Sequence, residues 1–265
     1  MYKATLKFLA SSAFARCFAR ILYRDGSEDL HREVMSLDFR GPVGFAAGID
    51  KDGRYPKALS SIGASFEIIG PVFYSQKGGI KSVVSNLRNL KSKLRIGVNI
   101  TKQPGSTTED QILRDYLEAF AYSYDFVDFS VLNFTDESIG SVRELAFIQG
   151  VTDPILDTRI SYDSFHPVLL KISSSMTDSE LGPVLDYCLM NGVDGIVAGT
   201  LDQISAINAF TKGRFPVIAA AAVSTPSEAL ALLDAGASLI ALDNPLKSLR
   251  MGLPKAIVRS VRNRK

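Results

Sequence analysis

Eight short apolar segments, separated by stretches with helical periodicity, most restrict the folds open to this chain. These segments are apolar at successive positions, as in parallel strands that are buried on both faces. They cover Val43–Ala47, Phe66–Val72, Ile96–Ile100, Phe126–Leu132, Val168–Ile172, Gly195–Ala198, Val217–Ala221 and Ser238–Leu242. Strands that alternate with helices predict an α/β fold with a parallel sheet.

Amphipathic helices are predicted in several of the intervals. Apolar residues recur at helical spacing in Asp110–Tyr122 and Ser179–Met190, and Ser227–Ala235 follows a proline that suits the first turn of a helix. Gly192 and Gly236 come after two of these segments, where a left-handed residue commonly ends a helix. The pattern therefore places helices between successive strands.

Eight strands joined by helices favour a closed (β/α)8 barrel, the TIM barrel, over an open doubly wound sheet. A GxGxxG turn after the first strand would indicate a Rossmann-type sheet, and the sequence has none there. The 265 residues match the usual length of one such barrel. We predict an α/β fold with this barrel over residues 31–265 and an N-terminal amphipathic helical extension over residues 1–30.

The segment Met1–Tyr23 has the pattern of one amphipathic helix. Its apolar residues are Leu6, Leu9, Phe14, Phe18, Ile21 and Leu22, and the basic residues up to position 24 are Lys3, Lys7, Arg16, Arg20 and Arg24. Such a helix can lie on an anionic membrane surface or cover the end of a barrel. No apolar run approaches the about 20 residues that cross a bilayer. We expect a cytoplasmic protein, with contact of residues 1–24 to the inner face of the cell membrane as an open alternative.

Composition excludes several classes of function. The formal net charge of +2 is too small for a nucleic-acid-binding surface. Cys17 and Cys188 lie far apart and form no CxxC motif, so we expect free thiols in a reducing compartment. His31 lies among acidic residues, but a single histidine without further histidine or cysteine ligands predicts no metal site.

In a (β/α)8 barrel the active site lies at the carboxyl ends of the strands. The most informative end is Gly41-Pro-Val-Gly-Phe-Ala-Ala-Gly-Ile-Asp-Lys-Asp-Gly53, where an apolar strand leads into small residues and then a lysine. Small residues such as Ala47 and Gly48 let a planar ligand approach the backbone. Lys51 offers a positive charge to an anion or an electron-rich ring. This end therefore predicts a binding site for a small molecule.

The same segment resembles the PVGLAAGFDKN segment of the class 2, quinone-dependent dihydroorotate dehydrogenases, and further similar segments follow in the family's order. They are Ile96–Lys102 (family IGVNIGKN), Val168–Ile172 (PVLLKIAPDL), Val193–Ala198 (IDGVIATNT), and the strand segments Phe215–Ile218 and Gly236–Leu239. Val127–Phe129 and Val142–Leu145 bracket the position of the family's NISSPNT segment. Arg32–Phe39 and the amphipathic N-terminus resemble the class 2 branch. The resemblance spans nearly the whole chain and implies the same barrel.

The resemblance implies the family's chemistry, the FMN-dependent oxidation of dihydroorotate to orotate in pyrimidine biosynthesis. In that reaction a base removes a proton while hydride passes to FMN, and quinone reoxidises the flavin. The implied cofactor-binding residues are Ala47, Gly48, Lys51, Asn99, Lys171, Thr200, Ala221, Ala222 and Asn244, and the implied catalytic residues are Asp136, Asn133 and Lys51. An anionic small molecule is the expected ligand.

Several family residues are replaced on the substrate side. A gapless alignment between Asp128 and Leu145 places Asp136 where the family has its serine base. An aspartate can act as a base, but it adds charge beside an anionic substrate. Ser138 replaces a substrate-facing asparagine, and the family's NRMGFNN segment has no counterpart. The substrate site therefore departs strongly from the family pattern.

The phosphate side of the flavin site is changed as well. The family's GVGGI turn reads Ala219-Ala-Ala-Ala-Val223, its YTG turn reads Asp243-Asn-Pro245, and Pro71 replaces a threonine near the flavin. Proline has no N–H to donate, and an aspartate repels a dianion. We therefore predict a diverged dihydroorotate dehydrogenase-like barrel, a pseudoenzyme with impaired or lost flavin binding and catalysis.

Two alternatives stay open. The first is an active FMN oxidoreductase with Asp136 in place of the serine base. The second is an unrelated barrel lyase or isomerase that uses Lys51 or Lys171, since Schiff-base chemistry needs a desolvated lysine. The presence of bound flavin and the burial of the two lysines separate these alternatives.

Overall fold

The computed structural model describes residues 2–23, 30–75, 78–90, 92, 94–243 and 250–264. A hairpin, β1 (Arg32–Val34) and β2 (Leu37–Phe39), precedes eight barrel strands. These are β3 (Val43–Phe45), β4 (Phe66–Val72), β5 (Arg95–Ile100), β6 (Phe129–Phe134), β7 (Val168–Ile172), β8 (Gly195–Ala198), β9 (Val217–Ala221) and β10 (Leu239–Leu242). Neighbouring strands pair in parallel, and β10 pairs with β3 to close the barrel. The predicted (β/α)8 fold is confirmed.

Ten α-helices lie in the described part of the chain, besides one short 3-10 helix at Tyr124–Phe126. They are α1 (Tyr2–Ser11), α2 (Ala13–Tyr23), α3 (Pro56–Ser61), α4 (Gly79–Leu87), α5 (Glu109–Ser123), α6 (Leu145–Ile160), α7 (Asp178–Asn191), α8 (Leu201–Thr211), α9 (Pro226–Asp234) and α10 (Leu253–Arg262). The three helices predicted between strands correspond to α5, α7 and α9, with ends shifted by one residue. Capping boxes at Thr108 and Thr177 start α5 and α7, and Gly192, with φ 81°, ends α7.

The side chains of the barrel strands alternate between the barrel interior and the layer under the helices. The interior residues of the strands include Phe66, Ile68, Phe129, Val131, Leu169, Val197, Ile218, Leu239 and Ala241, which form one buried cluster. The residues between them pack against the helices in a second, larger cluster. By this alternation Asn99, Asn133 and Lys171, near the carboxyl ends of their strands, face the open mouth of the barrel.

The predicted single N-terminal helix is wrong, because the chain turns at Ser12 into two helices. The Ser12 hydroxyl accepts the N–H of Ala15 at 3.2 Å and caps the start of α2. The Arg16 guanidinium donates to the carbonyls of Leu9 (2.9 Å) and Ala10 (2.7 Å), which satisfies the end of α1. These local bonds favour a helical hairpin, which packs on α3.

The two N-terminal helices also present different faces from the one predicted. Leu6 and Leu9 are buried under α1, as expected for an apolar face. On α2 the buried residues are the small Ala15 and Ala19, which allow a close approach. The four large residues Phe14, Phe18, Ile21 and Leu22 are instead 84%, 57%, 72% and 45% exposed. We call these four the apolar face of α2.

The hairpin β1–β2 closes the amino end of the barrel. Val34, Met35 and Phe39 join the interior cluster, and the Phe39 ring packs edge-on against the Phe66 ring at 5.6 Å between centroids. Met35 and Ser36 form the two-residue turn with φ of 55° and 58°, as in the primed turns that connect tight hairpins. The amino end is therefore filled by this hairpin, and α1 and α2 lie outside it.

Gly97 of β5 is expected to be essential for interior packing. A Cβ at this position would overlap with the ring of Phe129. Gly97→Ala should therefore lower the free energy of unfolding by about 1–3 kcal/mol, the usual cost of overpacking. Urea denaturation measures the change. Gly150→Ala is the control, since a Cβ there meets nothing within 4 Å; equal stability of both variants would contradict this packing.

Candidate active site at the barrel mouth

Polar side chains on neighbouring strands meet at the mouth. Asn99 extends from β5, Asn133 from β6 and Lys171 from β7, while Asp243 follows β10 and is exposed. Small residues lie between them, and a Cβ built on Gly48 would meet nothing within 4 Å. A Cβ on Gly199 would meet atoms no closer than 3.9 Å. The mouth thus combines open space over the backbone with convergent polar groups, as in small-molecule sites.

The Asn99 side chain is buried without any hydrogen-bond partner. It is 1% exposed, and neither its amide nitrogen nor its amide oxygen has a partner among the described residues. A buried amide left unpaired destabilises a protein, so such groups are uncommon unless a ligand pairs with them. Asn99 therefore marks a position where a polar ligand edge fits.

The two lysines predicted for the site have different surroundings. Lys51 lies on the loop after β3 and is exposed. Lys171 is half-buried on the interior side of β7, where burial lowers the pKa of its ammonium and the nearby Asp243 carboxylate raises it. Of the two, Lys171 has the environment of a functional lysine.

A buried aspartate that the sequence analysis missed holds the loop after β3. The Asp50 carboxylate accepts backbone N–H groups of Asp52 (3.2 Å), Gly53 (2.9 Å), Arg54 (3.2 Å) and Tyr55 (2.6 Å). Burial raises the pKa of Asp50, and these bonds lower it.

Backbone hydrogen bonds hold the same loop. The N–H of Gly48 donates to the Gly70 carbonyl at 2.7 Å, and the N–H of Gly70 donates to the Asp50 carbonyl at 3.0 Å. The loop that carries Ala47, Gly48 and Lys51 is thereby fixed. The available signal was an aspartate at the start of a turn, three residues before Gly53, where an aspartate side chain commonly accepts the following backbone N–H groups.

Asp136 is held by its own loop. Its Oδ1 accepts the hydroxyl and the N–H of Ser138 at 2.6 and 3.1 Å, and its Oδ2 lies 3.5 Å from Lys102 Nζ. The Ser138 hydroxyl is the main cause that lowers the pKa of Asp136. The carboxylate is therefore ionised and already engaged, which makes it a weak proton acceptor.

A cavity of 710 Å³ opens beside Lys171. It is lined by Thr135, Glu137, Arg143, Lys171, Ile172, Ser173, Ser174, Ser175, Gly199 and Ala220. Asp136 is not part of this wall, whereas its neighbour Glu137 is. The hydroxyls of Ser173 and Ser175 donate to Glu137 Oε1 at 2.5 and 2.7 Å. Glu137 and Arg143 were not predicted, because a loop sequence does not show which of two adjacent carboxylates faces a cavity.

The remaining predicted residues differ in their surroundings. Asn133 is 7% exposed, and its amide oxygen accepts the Thr135 hydroxyl at 2.8 Å. Thr200 caps α8 by accepting the N–H of Gln203 at 3.2 Å, which is a structural role. Ala221 is half-buried at the end of β9, and Ala222 is exposed. Asn244 and Pro245 lie outside the described residues.

The residues at the mouth fit the ring of FMN better than its phosphate. The unpaired Asn99 amide, the open space over Gly48 and Gly199, and the Lys171 ammonium suit a planar polar ring. At the turn where the resemblance places the flavin phosphate, the Asp243 N–H donates to the Ala221 carbonyl at 3.2 Å, so the Asp243 backbone lies beside the alanine turn. A carboxylate at this position opposes a dianion.

Comparison with known proteins gives consistent relatives. No protein-family model matches the chain. The dihydroorotate dehydrogenase (quinone) of Pseudoalteromonas atlantica is 25% identical, over 92% of this chain and 91% of the relative. That of Christiangramia forsetii is 26% identical, over 80% and 78%. The first alignment covers 305 positions, more than the 265 residues of this chain, so the relative has residues that this chain lacks.

Solved structures show the same architecture. The ligand-free dihydroorotate dehydrogenase of Eimeria tenella superposes with a TM-score of 0.81 at 17% identity, over 99% of this chain and 93% of that one. The enzyme in complex with ferulenol gives a TM-score of 0.79 at 18% identity, over 99% and 90%. The chain is thus a shortened and diverged protein that resembles the quinone-dependent dihydroorotate dehydrogenases in sequence along most of its length and shares their barrel fold.

Proposed function

We propose that this chain is a diverged dihydroorotate dehydrogenase-like barrel that binds the ring of FMN at its mouth, weakly, and has lost efficient oxidation of dihydroorotate. The observation that carries the proposal is the buried Asn99 amide without a partner. A polar ligand that pairs with this amide removes the cost of burying it. Bound FMN would supply an acceptor for hydride.

The residues of the chain would share the work of binding. Asn99 would pair with a polar edge of the ring, and Lys171 would place a positive charge beside it. Gly48 and Gly199 would let the ring approach the backbone, because neither has a side chain to exclude it. The loop fixed by Asp50 would hold Ala47 and Gly48 in place before the ligand arrives.

Loss of catalysis is proposed from the state of Asp136. Proton abstraction from carbon is favoured by a base whose pKa lies near the working pH. The pKa of Asp136 is lowered by the Ser138 hydroxyl, and its second oxygen lies beside Lys102. Its carboxylate is also absent from the wall of the cavity next to Lys171. These surroundings favour a structural role for Asp136 in its loop.

Flavin titration tests the proposal. We expect saturable FMN binding in the micromolar range or weaker, seen as quenching of flavin fluorescence, and slow bleaching of the flavin when dihydroorotate is added without oxygen. Absence of saturable binding would refute the proposal. Rapid bleaching that Asp136→Asn abolishes would support the alternative of an active oxidoreductase with an aspartate base.

Removal of the Asp243 charge is expected to strengthen FMN binding. The substitution Asp243→Asn removes one like charge beside the phosphate turn, and we expect the FMN dissociation constant to fall about tenfold, the scale of one charge contact near a surface. Asp163→Asn, which changes an exposed carboxylate before β7, is the matched control. If the two variants bind FMN equally, the phosphate lies away from Asp243.

A second candidate, a barrel lyase or isomerase, rests on Lys171. Its pKa is lowered by burial, as a Schiff-base lysine requires, and it lines a cavity, whereas Lys51 is exposed. Borohydride reduction in the presence of pyruvate tests it. A mass increase located on Lys171 would support this candidate, and an unmodified Lys171 would exclude pyruvate-type aldol chemistry.

We also propose that the apolar face of α2 contacts a membrane surface. Its four large residues point to solvent, and Lys3, Lys7 and Arg20 of the same two helices are exposed. Apolar residues flanked by basic ones suit an anionic interface. None of the helices in the described ranges combines the length and the apolar character that crossing a bilayer requires. The proposal is therefore peripheral contact.

A native cysteine allows a direct test. Cys17 lies on α2 between Phe14 and Phe18 and is exposed, whereas Cys188 is buried and burial raises its pKa to about 12. The fluorescence emission of a polarity-sensitive maleimide dye attached to Cys17 should shift to shorter wavelength when phosphatidylglycerol vesicles are added. Added salt should reduce this shift by screening the basic residues. Phe14→Ser with Phe18→Ser should abolish it, unlike the control Phe165→Ser, which alters an exposed phenylalanine before β7. No shift in the unmodified sequence would refute membrane contact.

A further inference from the structure

Glu137 places a fixed carboxylate in the wall of the cavity beside Lys171. Its side chain is 50% exposed, and its Oε1 accepts hydrogen bonds from both Ser173 and Ser175. The Ser173 and Ser175 hydroxyl oxygens lie 2.7 Å apart, and because both hydroxyl protons are directed at Glu137, neither serine donates to the other. Among the described residues, the cation nearest to Oε2 is Arg143, whose Nε lies 3.8 Å away, beyond hydrogen-bond distance. Oε2 is therefore available to accept a hydrogen bond from a ligand.

The carboxylate of Glu137 is ionised at neutral pH. The hydroxyls of Ser173 and Ser175 are the main causes that lower its pKa, and the Arg143 guanidinium lowers it further. Two hydroxyl donors stabilise the charged form of a carboxylate. A ligand in this cavity thus meets a negative charge in a fixed position.

The cations around the cavity do not cancel this charge. Arg143 lies between two carboxylates, with Nε 3.8 Å from Glu137 and 3.7 Å from Glu180, and its Nη1 donates to the Ser175 carbonyl at 3.3 Å. The Lys171 ammonium is under the influence of Asp243. Among the described residues, each cation of the cavity wall is thus opposed by a carboxylate outside the wall, Arg143 by Glu180 and Lys171 by Asp243, so the charge of Glu137 is left over and disfavours an incoming anion.

We infer that Glu137 makes the cavity selective for a small ligand whose facing end carries a cationic amine, and selective against a carboxylate of the orotate type. The inference rests on the proposed function, because it takes this cavity to be the substrate side of the flavin-binding mouth. The divergence from the dihydroorotate dehydrogenases is then a change of substrate charge at the same site.

Three ligands that share one pyrimidine ring test the inference. They are orotate, uracil and 6-(aminomethyl)uracil, which carry at ring position 6 a carboxylate, a hydrogen and an ammonium group. Calorimetric titration of the full chain, with and without saturating FMN, should show 6-(aminomethyl)uracil binding about tenfold more tightly than orotate, the scale of a single charge contact in a partly solvated site. Uracil should lie between them.

Matched variants assign the selectivity to one residue. Glu137→Gln should bring the affinities of orotate and 6-(aminomethyl)uracil together, whereas Glu144→Gln, an equal charge change at an exposed residue outside this cavity, should preserve the difference. Orotate binding more tightly than the amine, an unchanged difference in Glu137→Gln, or no binding of any of the three would overturn the inference. Failure of FMN titration alone would refute the proposed function and leave the ligand selectivity standing.

Discussion

Glu67→Gln is expected to raise the free energy of unfolding at pH 7 by up to about 3 kcal/mol, the cost of keeping an ordinary carboxyl group protonated at that pH. Glu67 of β4 is 1% exposed, and neither carboxyl oxygen has a hydrogen-bond partner in the described part of the chain. Burial raises its pKa well above the ordinary value of 4.5, and the Asp50 carboxylate raises it further. The folded protein must therefore hold Glu67 protonated or bury its charge.

The pH dependence of stability follows from the raised pKa of Glu67 in the folded protein. A carboxyl whose pKa is raised by folding binds more protons in the folded than in the unfolded protein, so its contribution to stability falls as pH rises above 4.5. Below that pH the contribution is constant. Glutamine has a similar shape but no proton to lose, so the stability gap between variant and unmodified protein should widen from pH 4.5 to pH 7.

Urea unfolding at several pH values measures this gap. Glu118→Gln, at an exposed position of α5, serves as the control and should change stability little at any pH. Parallel pH profiles for the unmodified protein and Glu67→Gln would contradict the burial of an unpaired carboxyl. A loss of stability in Glu67→Gln would show instead that the charged form has a partner in the folded chain.

Asn99→Leu is expected to have opposite effects on stability and on binding. Leucine removes an unpaired buried amide, so the ligand-free protein should gain about 1–3 kcal/mol of unfolding free energy. The same change removes the group proposed to pair with the FMN ring, so FMN binding should be lost. Residues kept at a cost to stability are typical of functional sites.

Asn133→Leu provides the contrast, because the Asn133 amide already accepts the Thr135 hydroxyl. That variant should lose stability, since its partner hydroxyl would be left without an acceptor. Thermal unfolding without ligand and flavin titration are both needed. Destabilisation in Asn99→Leu would show that Asn99 has a structural role, and unchanged FMN affinity would place the ring elsewhere.

The sequence located the barrel well, because buried parallel strands are apolar on both faces and remain so in any context. It failed at the N-terminus for two physical reasons. Ser12 interrupts the helix by capping α2, a local bond that apolar periodicity does not reveal. The buried face of α2 consists of Ala15 and Ala19, and periodicity favours the larger side chains that in fact face solvent.

The sequence predicted which residues lie at the candidate site better than it predicted their hydrogen bonds and charge environments. Asn99, Asn133 and Lys171 lie at strand ends facing the mouth, as the alternation of side chains requires. Their pKa values and hydrogen bonds depend on residues distant in sequence, such as Asp243 near Lys171, and no local sequence pattern reveals such neighbours. The same holds for Glu137, whose orientation is determined by two serines after β7, 36 and 38 positions further along the chain.

The hairpin at the amino end of the barrel separates substitutions that affect the packing of the fold from substitutions in the loops at the mouth that affect ligand binding. Phe39 packs there against Phe66, so ligand approach from that side is blocked and the fold is anchored independently of the mouth. Substitutions in the loops at the opposite end can then alter ligand charge without loosening the anchor. A barrel arranged in this way can change the charge of its ligand site through loop substitutions while the packing at its amino end stays intact, which makes it a favourable starting point for engineered binding sites.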